Sequence, residues 1–266
     1  MDHRMIRIFL SLLLAGSAGL LSGANDSKIV TTDGREIKTS KIEADRNGDL
    51  EYLSPDGKIK LRIPRGRYRY AMIPKPAQVT AADQKFREQQ WKSAASLYQT
   101  AAQDYKLLGW DVYCIRMEAQ CLVRSGEKQQ AGELLLKLHQ ERENNPELAS
   151  ERAMADDLLA DLLIDGKKYD EAEKILNRQQ RREEPELAFA AYFKKAVIRQ
   201  GRGDKRGAAM QFYQTALLFP NHPRRAEALF CAWSLLKELK SPQAAPVGEM
   251  LKREYPDSPY ARQVFF

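Results

Sequence analysis

The chain has 266 residues, 43% of them hydrophobic and 30% charged, with a formal net charge of +7. That length allows one large domain or a small domain joined to a repeat array, and the charge permits anionic partners without requiring them. Three cysteines rule out a disulfide framework: Cys114 and Cys121 stand seven apart on one predicted helix, about 10 Å along its axis, beyond disulfide reach, and Cys231 lies far off in sequence. Buried free thiols are the expected reading, with pairing between chains the alternative for an odd cysteine in an exported protein.

The chain opens with Arg4 and Arg7, an apolar run from Ile8 to Leu21, and the small residues Ser22-Gly23-Ala24. This order reads as a secretory signal spanning 1–24 and cleaved after Ala24, with retention as an anchor the alternative. Cleavage removes Arg4, Arg7 and Asp2 and lowers the formal charge from +7 to +6. No Cys follows the run, so a lipoprotein is not expected. No later stretch is apolar enough to span a bilayer.

Residues 25–73 read as a small antiparallel β module. Turn pairs at Asp33-Gly34, Asn47-Gly48 and Pro55-Asp56-Gly57 separate short alternating segments. Ile59, Leu61 and Ile63 alternate with Lys58, Lys60 and Arg62, which places aliphatics on one face and cations on the other. Arg67 and Arg69 alternate with Tyr68 and Tyr70 in the same way. The size and turn spacing resemble an SH3-like barrel or sheet. Some fifty residues make a marginal core, so the module is expected to pack on the remainder of the chain. Pro74-Lys75-Pro76 marks a stiff linker over 74–79.

From Thr80 the period becomes helical. Thr80 and Asp83 have capping-box spacing. Small residues recur at Ala94, Ala131, Ala172, Ala209 and Ala244, and twelve before each stand Ala82, Ala119, Ala160, Val197 and Ala232. Four after them stand Tyr98, Leu135, Leu176, Tyr213 and Gly248. Gly126, Gly166 and Gly203 fall in the hinges, and Gly166 is expected to take the left-handed conformation that ends its helix.

On these residues, the chain from about 80 to 266 resembles a tetratricopeptide-repeat (TPR) solenoid of about five helical hairpins. The fold class expected is therefore α+β by domain: the β module, then an all-α solenoid. The closing segment Glu254-Tyr255-Pro256-Asp257-Ser258-Pro259-Tyr260-Ala261 resembles the endings of bacterial envelope TPR proteins, such as the tol-pal system protein and outer-membrane assembly proteins. The resemblance implies a non-catalytic scaffold of the periplasm or cell envelope, binding a protein partner or peptide on the concave face lined by the first helices.

Three features bear on function. No enzyme is expected, because His139 and His222 lie at helix ends without a nucleophile and no Gly-rich phosphate loop is present; no cofactor or metal site is expected either. Lys58, Lys60, Arg62, Arg65, Arg67 and Arg69 run with no acid between Asp56 and Asp83. They form a candidate surface for an anionic envelope polymer, or else an edge kept soluble by charge; export argues against nucleic acid. On the first helices, Arg116, Arg124, Asp157, Asp161, Asp165, Lys194 and Arg202 alternate in sign from repeat to repeat. They either present a charge pattern to a partner or pair among themselves inside the solenoid. Trp233 is either an aromatic anchor near that groove or a core residue.

Overall fold

A computed structural model of the chain describes residues 27–54, 56–141 and 145–265; the signal reading at 1–24 lies outside them. Six strands come first: β1 (Ser27–Thr31), β2 (Glu36–Thr39), β3 (Ile42–Ala44), β4 (Leu50–Leu53), β5 (Lys60–Ile63) and β6 (Tyr68–Met72). They form two three-stranded antiparallel sheets, ordered β2-β1-β6 and β3-β4-β5. Ile29, Ile42, Leu50 and Ala71 fill the space between them. Asp45 closes the β3–β4 turn by accepting from the Asn47 and Asp49 amides, and Gly48 adopts φ +86° there, the left-handed conformation glycine favours. Its carbonyl accepts from the Tyr68 hydroxyl at 2.6 Å.

The alternation in β5 is only partly used. Ile63 packs inward opposite Leu50, but Ile59 is 58% exposed and Leu61 38% exposed. β5 is an edge strand, and the facing sheet covers no more of it than Ile63.

The module borrows part of its core from the helices. Leu108, in the turn after the second helix, is buried among its aliphatics. Ile73 donates its amide to the Leu108 carbonyl, and Trp110 donates from Nε1 to the Ile73 carbonyl at 2.9 Å. Gly109 between them has φ +84°, and a Cβ there would lie 3.3 Å from the Ala71 carbonyl oxygen. A second contact lies one hairpin further on, where Lys28 pairs with Glu147 at 2.5 Å and the Tyr70 hydroxyl donates to the same carboxylate.

Ten helices come next among the described residues: α1 (Ala77–Arg87), α2 (Trp91–Asp104), α3 (Asp111–Arg124), α4 (Lys128–Gln140), α5 (Ala149–Asp165), α6 (Tyr169–Gln179), α7 (Pro185–Gly201), α8 (Lys205–Leu218), α9 (Arg225–Glu238) and α10 (Ala244–Glu254). α1 starts three residues before Thr80, with Pro76 as its cap. The capping box expected at Thr80 and Asp83 is therefore absent. Thr80 donates back to the Pro76 carbonyl, and Asp83 is engaged elsewhere.

The helices form five hairpins, and every hinge is built alike. Gln89, Gly126, Lys167, Gly203 and Lys240 each have positive φ. In each hinge the left-handed residue donates its amide three residues back, to Phe86, Val123, Ile164, Gln200 and Lys237. The next amide reaches five back, to Lys85, Leu122, Leu163, Arg199 and Leu236. This is a Schellman closure of the helix end. It holds even where a Cβ makes the left-handed state cost about 1–2 kcal/mol.

The hinge corrects one expectation and sharpens two registers. Gly166 has φ −78°, and Lys167 is the left-handed residue. Ala160 lies seven before Lys167 and Ala172 five after, both fully buried. Moving the bend by one residue would turn one of them by about 100° away from its neighbour. The same offsets in the fourth hairpin select Ala196 and Phe212, both buried, rather than the half-buried Val197 and Tyr213, and Ala208 beside Ala209, which are both fully buried. In the fifth, Ser241-Pro242 adds two residues before α10, and Val247 and Leu251 take the buried places expected for Ala244 and Gly248. Trp233 there occupies the slot that is alanine in the other hairpins. Gly248 makes the room, since a Cβ on it would lie 2.9 Å from the Trp233 ring and 2.9 Å from Val264.

Candidate interaction surface

Counting back from each left-handed hinge residue identifies equivalent positions on the first helices. Ten before lie Val79, Arg116, Asp157, Phe193 and Phe230; six before lie Asp83, Gln120, Asp161, Val197 and Ser234. Positions four apart share one helix face, so these residues form two adjacent rows running across the hairpins.

At the centre of those rows is an ion triad. The Lys194 ammonium lies 2.6 Å from Asp157 Oδ1 and 2.9 Å from Asp161 Oδ1, and it also donates to the Asp157 main-chain carbonyl. Lys194 is 8% exposed. Burial works against its charge, but the two carboxylates outweigh burial and hold its pKa above the ordinary lysine value. Burial likewise pushes the Asp161 carboxyl up, although Lys194 opposes it.

The other predicted groove residues have partners of their own. Arg116 is buried, donates from Nε to Glu151 at 2.8 Å, and lies over the Tyr113 ring. Asp165 accepts from Lys128 at 2.7 Å, one hairpin back. Arg202 pairs with Asp170 and Glu173 on α6 and caps the Tyr169 ring. Arg124 is exposed, 5.9 Å above Trp91. Trp233 is 4% exposed and belongs to the core. The fold thus brings Asp157, Asp161 and Lys194 together and leaves Arg124, Asp165, Arg202 and Trp233 apart from them.

The basic strand is neutralised across the sheet. Lys60 pairs with Glu51 at 2.5 Å and reaches Glu43, while Arg62 pairs with Asp45 and Asp49 at 2.6 and 2.7 Å. Arg65 donates its amide to Asp49, and Arg69 donates to the Thr32 carbonyl. Lys58 and Arg67 are exposed. The acids come from β3, β4 and the turn between them, so the acid-free run after Asp56 does not produce an acid-free surface.

Two clusters leave little mark in the sequence. One surrounds Arg224, whose guanidinium lies 4.7 Å from the Phe193 ring centre and 5.6 Å from that of Phe189, and pairs with Glu227 at 2.7 Å. Beside it, His222 stacks on Phe189 at 3.6 Å. His222 Nδ1 accepts from the Arg224 amide, so the proton sits on Nε2, facing Glu186. Burial lowers the His222 pKa. The signals available are the four-residue spacing of Phe189 and Phe193 and the three-residue spacing of Arg224 and Glu227. The second cluster is Asp83 with Lys75, Tyr98 and Tyr113.

The thiols are not poised for chemistry. Cys114 and Cys121 are buried, Cys231 is half-buried, and burial pushes all three up to about 12.

Glu118 is a buried acid in a place that suits an apolar residue. It stands eight before its hinge on α3, where α5 carries Leu159. Burial alone pushes its carboxyl from 4.5 up to about 7. The folded chain therefore keeps this proton longer than the unfolded chain. The stability it contributes is present below about pH 4.5 and is lost as pH rises to about 7, a change of about 3 kcal/mol. Glu118→Gln cannot ionise, so its stability relative to the wild type is expected to rise across that window and to exceed that of the wild type at about pH 8. Denaturant midpoints measured across the window check this; parallel profiles for the two proteins would refute it.

No protein-family model and no curated protein matches the sequence. Among solved structures, the chain is similar to a kinesin light chain protein of Podosopora anserina with nearly identical TPR-like repeats. The identity is 18% and the TM-score 0.51, over 66% of this chain and 92% of that one. A second structure of that protein gives 17% identity and a TM-score of 0.52, over 68% and 96%. The apo form of RapI gives 14% and 0.50, over 68% of this chain and 54% of that one. At these identities the likeness is one of fold: the helical part of the chain is a TPR-like solenoid.

Proposed function

We propose that the protein is a non-catalytic scaffold of the bacterial periplasm or cell envelope, holding a peptide or partner domain on the concave face of its solenoid. An SH3-like β module would brace the first hairpins. The observation that carries the reading is the common hinge. Five like closures keep the two rows in register, and their partly or fully exposed members Asp157, Asp161, Val197, Phe230 and Ser234 give an extended ligand a surface. Export is supported by Arg4, Arg7, the Ile8–Leu21 run and Ser22-Gly23-Ala24. The surface mixes aromatic, aliphatic and charged side chains, as partner-binding faces do.

The test is in-cell photocrosslinking. A photoreactive amino acid at Val197, on the first-helix face, is expected to capture a protein partner. The same group at Met210, on the exposed side of α8, should capture none. Equal capture at both positions, or none at Val197, would overturn the reading. Amino-terminal sequencing of the exported chain should begin at Asn25.

A further inference from the structure

A cavity of about 500 Å³ opens where the last first-helix meets the closing segment of the chain. Its floor is α9. Phe230, Ser234 and Lys237 stand four and three residues apart and share one face. Phe230 and Ser234 belong to the two rows described above, so the cavity lies where those rows end. Its far wall is built rather than loose: Ala261 and Val264 are buried in the last core cluster, and they set Arg262 and Phe265 at the rim.

The lining has a definite chemistry. Three aromatic rings face the cavity, those of Phe230, Trp233 and Phe265, and Phe265 is 68% exposed. Among the described residues two cations line it, Lys237 and Arg262, and no acid does. The Lys237 ammonium lies 3.5 Å from the Phe265 ring centre and 5.1 Å from that of Trp233, and it donates to the Phe265 carbonyl. An ammonium has three donors, so two remain for a ligand. Arg262 is exposed and donates to the Asp257 carbonyl, which leaves most of its fork unused. The volume suits a segment of about two residues.

We infer that this cavity takes an acidic–aromatic pair of a partner peptide. The aromatic side chain lies against the exposed Phe265 ring, beside Phe230, and the side-chain carboxylate next to it meets Lys237 and Arg262. Charge selects the carboxylate, since two cations without a lining acid favour an anion and disfavour a cation. Aromatic walls select the neighbouring ring. The inference rests on the proposed scaffold role and names the chemistry of one end of its binding face.

The probe is a fluorescent peptide with blocked ends carrying a central Glu-Phe pair, titrated into the exported full chain. Saturable binding is expected at low salt, weakening as salt rises. Arg262→Glu is expected to weaken it about tenfold or more with an unchanged melting temperature, because Arg262 is exposed. Lys237→Gln should do the same, and peptides with Lys-Phe or Glu-Gly should not compete. Failure of the Glu-Phe peptide to bind, or equal binding by the Arg262→Glu protein, overturns the inference. If Val197 still captures a partner in that case, only the cavity assignment falls; if Val197 captures nothing, both readings fall.

Discussion

Asp83→Ala is expected to cost about 2–4 kcal/mol of folding free energy, at about 1–3 kcal/mol for each tyrosine hydroxyl left without its acceptor. The Asp83 carboxylate is 8% exposed and accepts from the Tyr98 hydroxyl at 2.6 Å, the Tyr113 hydroxyl at 2.8 Å, and Lys75. Tyr98 is fully buried, and burial pushes both tyrosine hydroxyls well above their ordinary pKa, so both remain donors. Lys75 comes from the Pro74–Pro76 crossing and lies 5.2 Å from the Tyr113 ring and 5.9 Å from that of Trp110. One carboxylate thus ties the crossing to α1, α2 and α3. Its loss strands a buried hydroxyl and leaves an ammonium facing aromatic rings. Asp83→Asn keeps the shape and one acceptor oxygen, and should lose roughly half as much. Denaturant unfolding followed by tryptophan fluorescence reports the change. A loss below about 1 kcal/mol for the alanine variant would mean that the cluster contributes little.

Lys194→Met should have an effect of similar size for a different reason. It leaves Asp157 and Asp161 side by side, partly buried, without their shared cation. About 3–5 kcal/mol is expected near neutral pH. The loss should shrink in acid. The Asp161 carboxyl is already raised by burial, and without Lys194 it rises further. A group raised in the folded state contributes stability below its unfolded value of 3.8 and loses it as pH climbs. The variant should therefore approach the wild type near about pH 4 and fall behind above it. Adding Asp157→Asn and Asp161→Asn should restore most of the loss, since the cost lies in the stranded charges and not in the missing lysine. A deficit independent of pH, or no rescue, would assign Lys194 a packing role instead.

Periodicity within a helix is a local property, and the sequence displays it well. The small residues at Ala82, Ala94, Ala119, Ala131, Ala160 and Ala172 are readable because each hairpin must bury its own seam. The stripe of Asp157, Asp161 and Asp165 is readable as one face for the same reason. Contacts between elements are harder. That Lys194 reaches Asp157 while Arg202 reaches Asp170 depends on the offset between neighbouring hairpins, which no single helix encodes. Gly166 is the easier place for a bend, but the burial of Ala160 and Ala172 outweighs the ease of a glycine one position earlier. After Ser241-Pro242 the count slips by two, and Trp233 with Gly248 exchanges large for small across the seam. Neither change leaves a trace in spacing alone. In the β module, Lys60 and Arg62 look free in sequence because Glu43 and Glu51 lie on other strands and Asp45 and Asp49 in the β3–β4 turn.

The β module touches the helices at two corners, the α2–α3 turn through Leu108 and Trp110, and the stretch before α5 through Glu147. In a linear array each hairpin touches only its neighbours, so the end units fray first. Here the amino-terminal unit is not a free end. Separating the first hairpin from the second, or the second from the third, strains a brace that spans both junctions. Melting of the array is thereby biased to start from the carboxyl-terminal side, and the first two hairpins and the module form one cooperative unit. A load pulling on a bound partner would accordingly find the solenoid stiff near the module and more yielding toward α9 and α10.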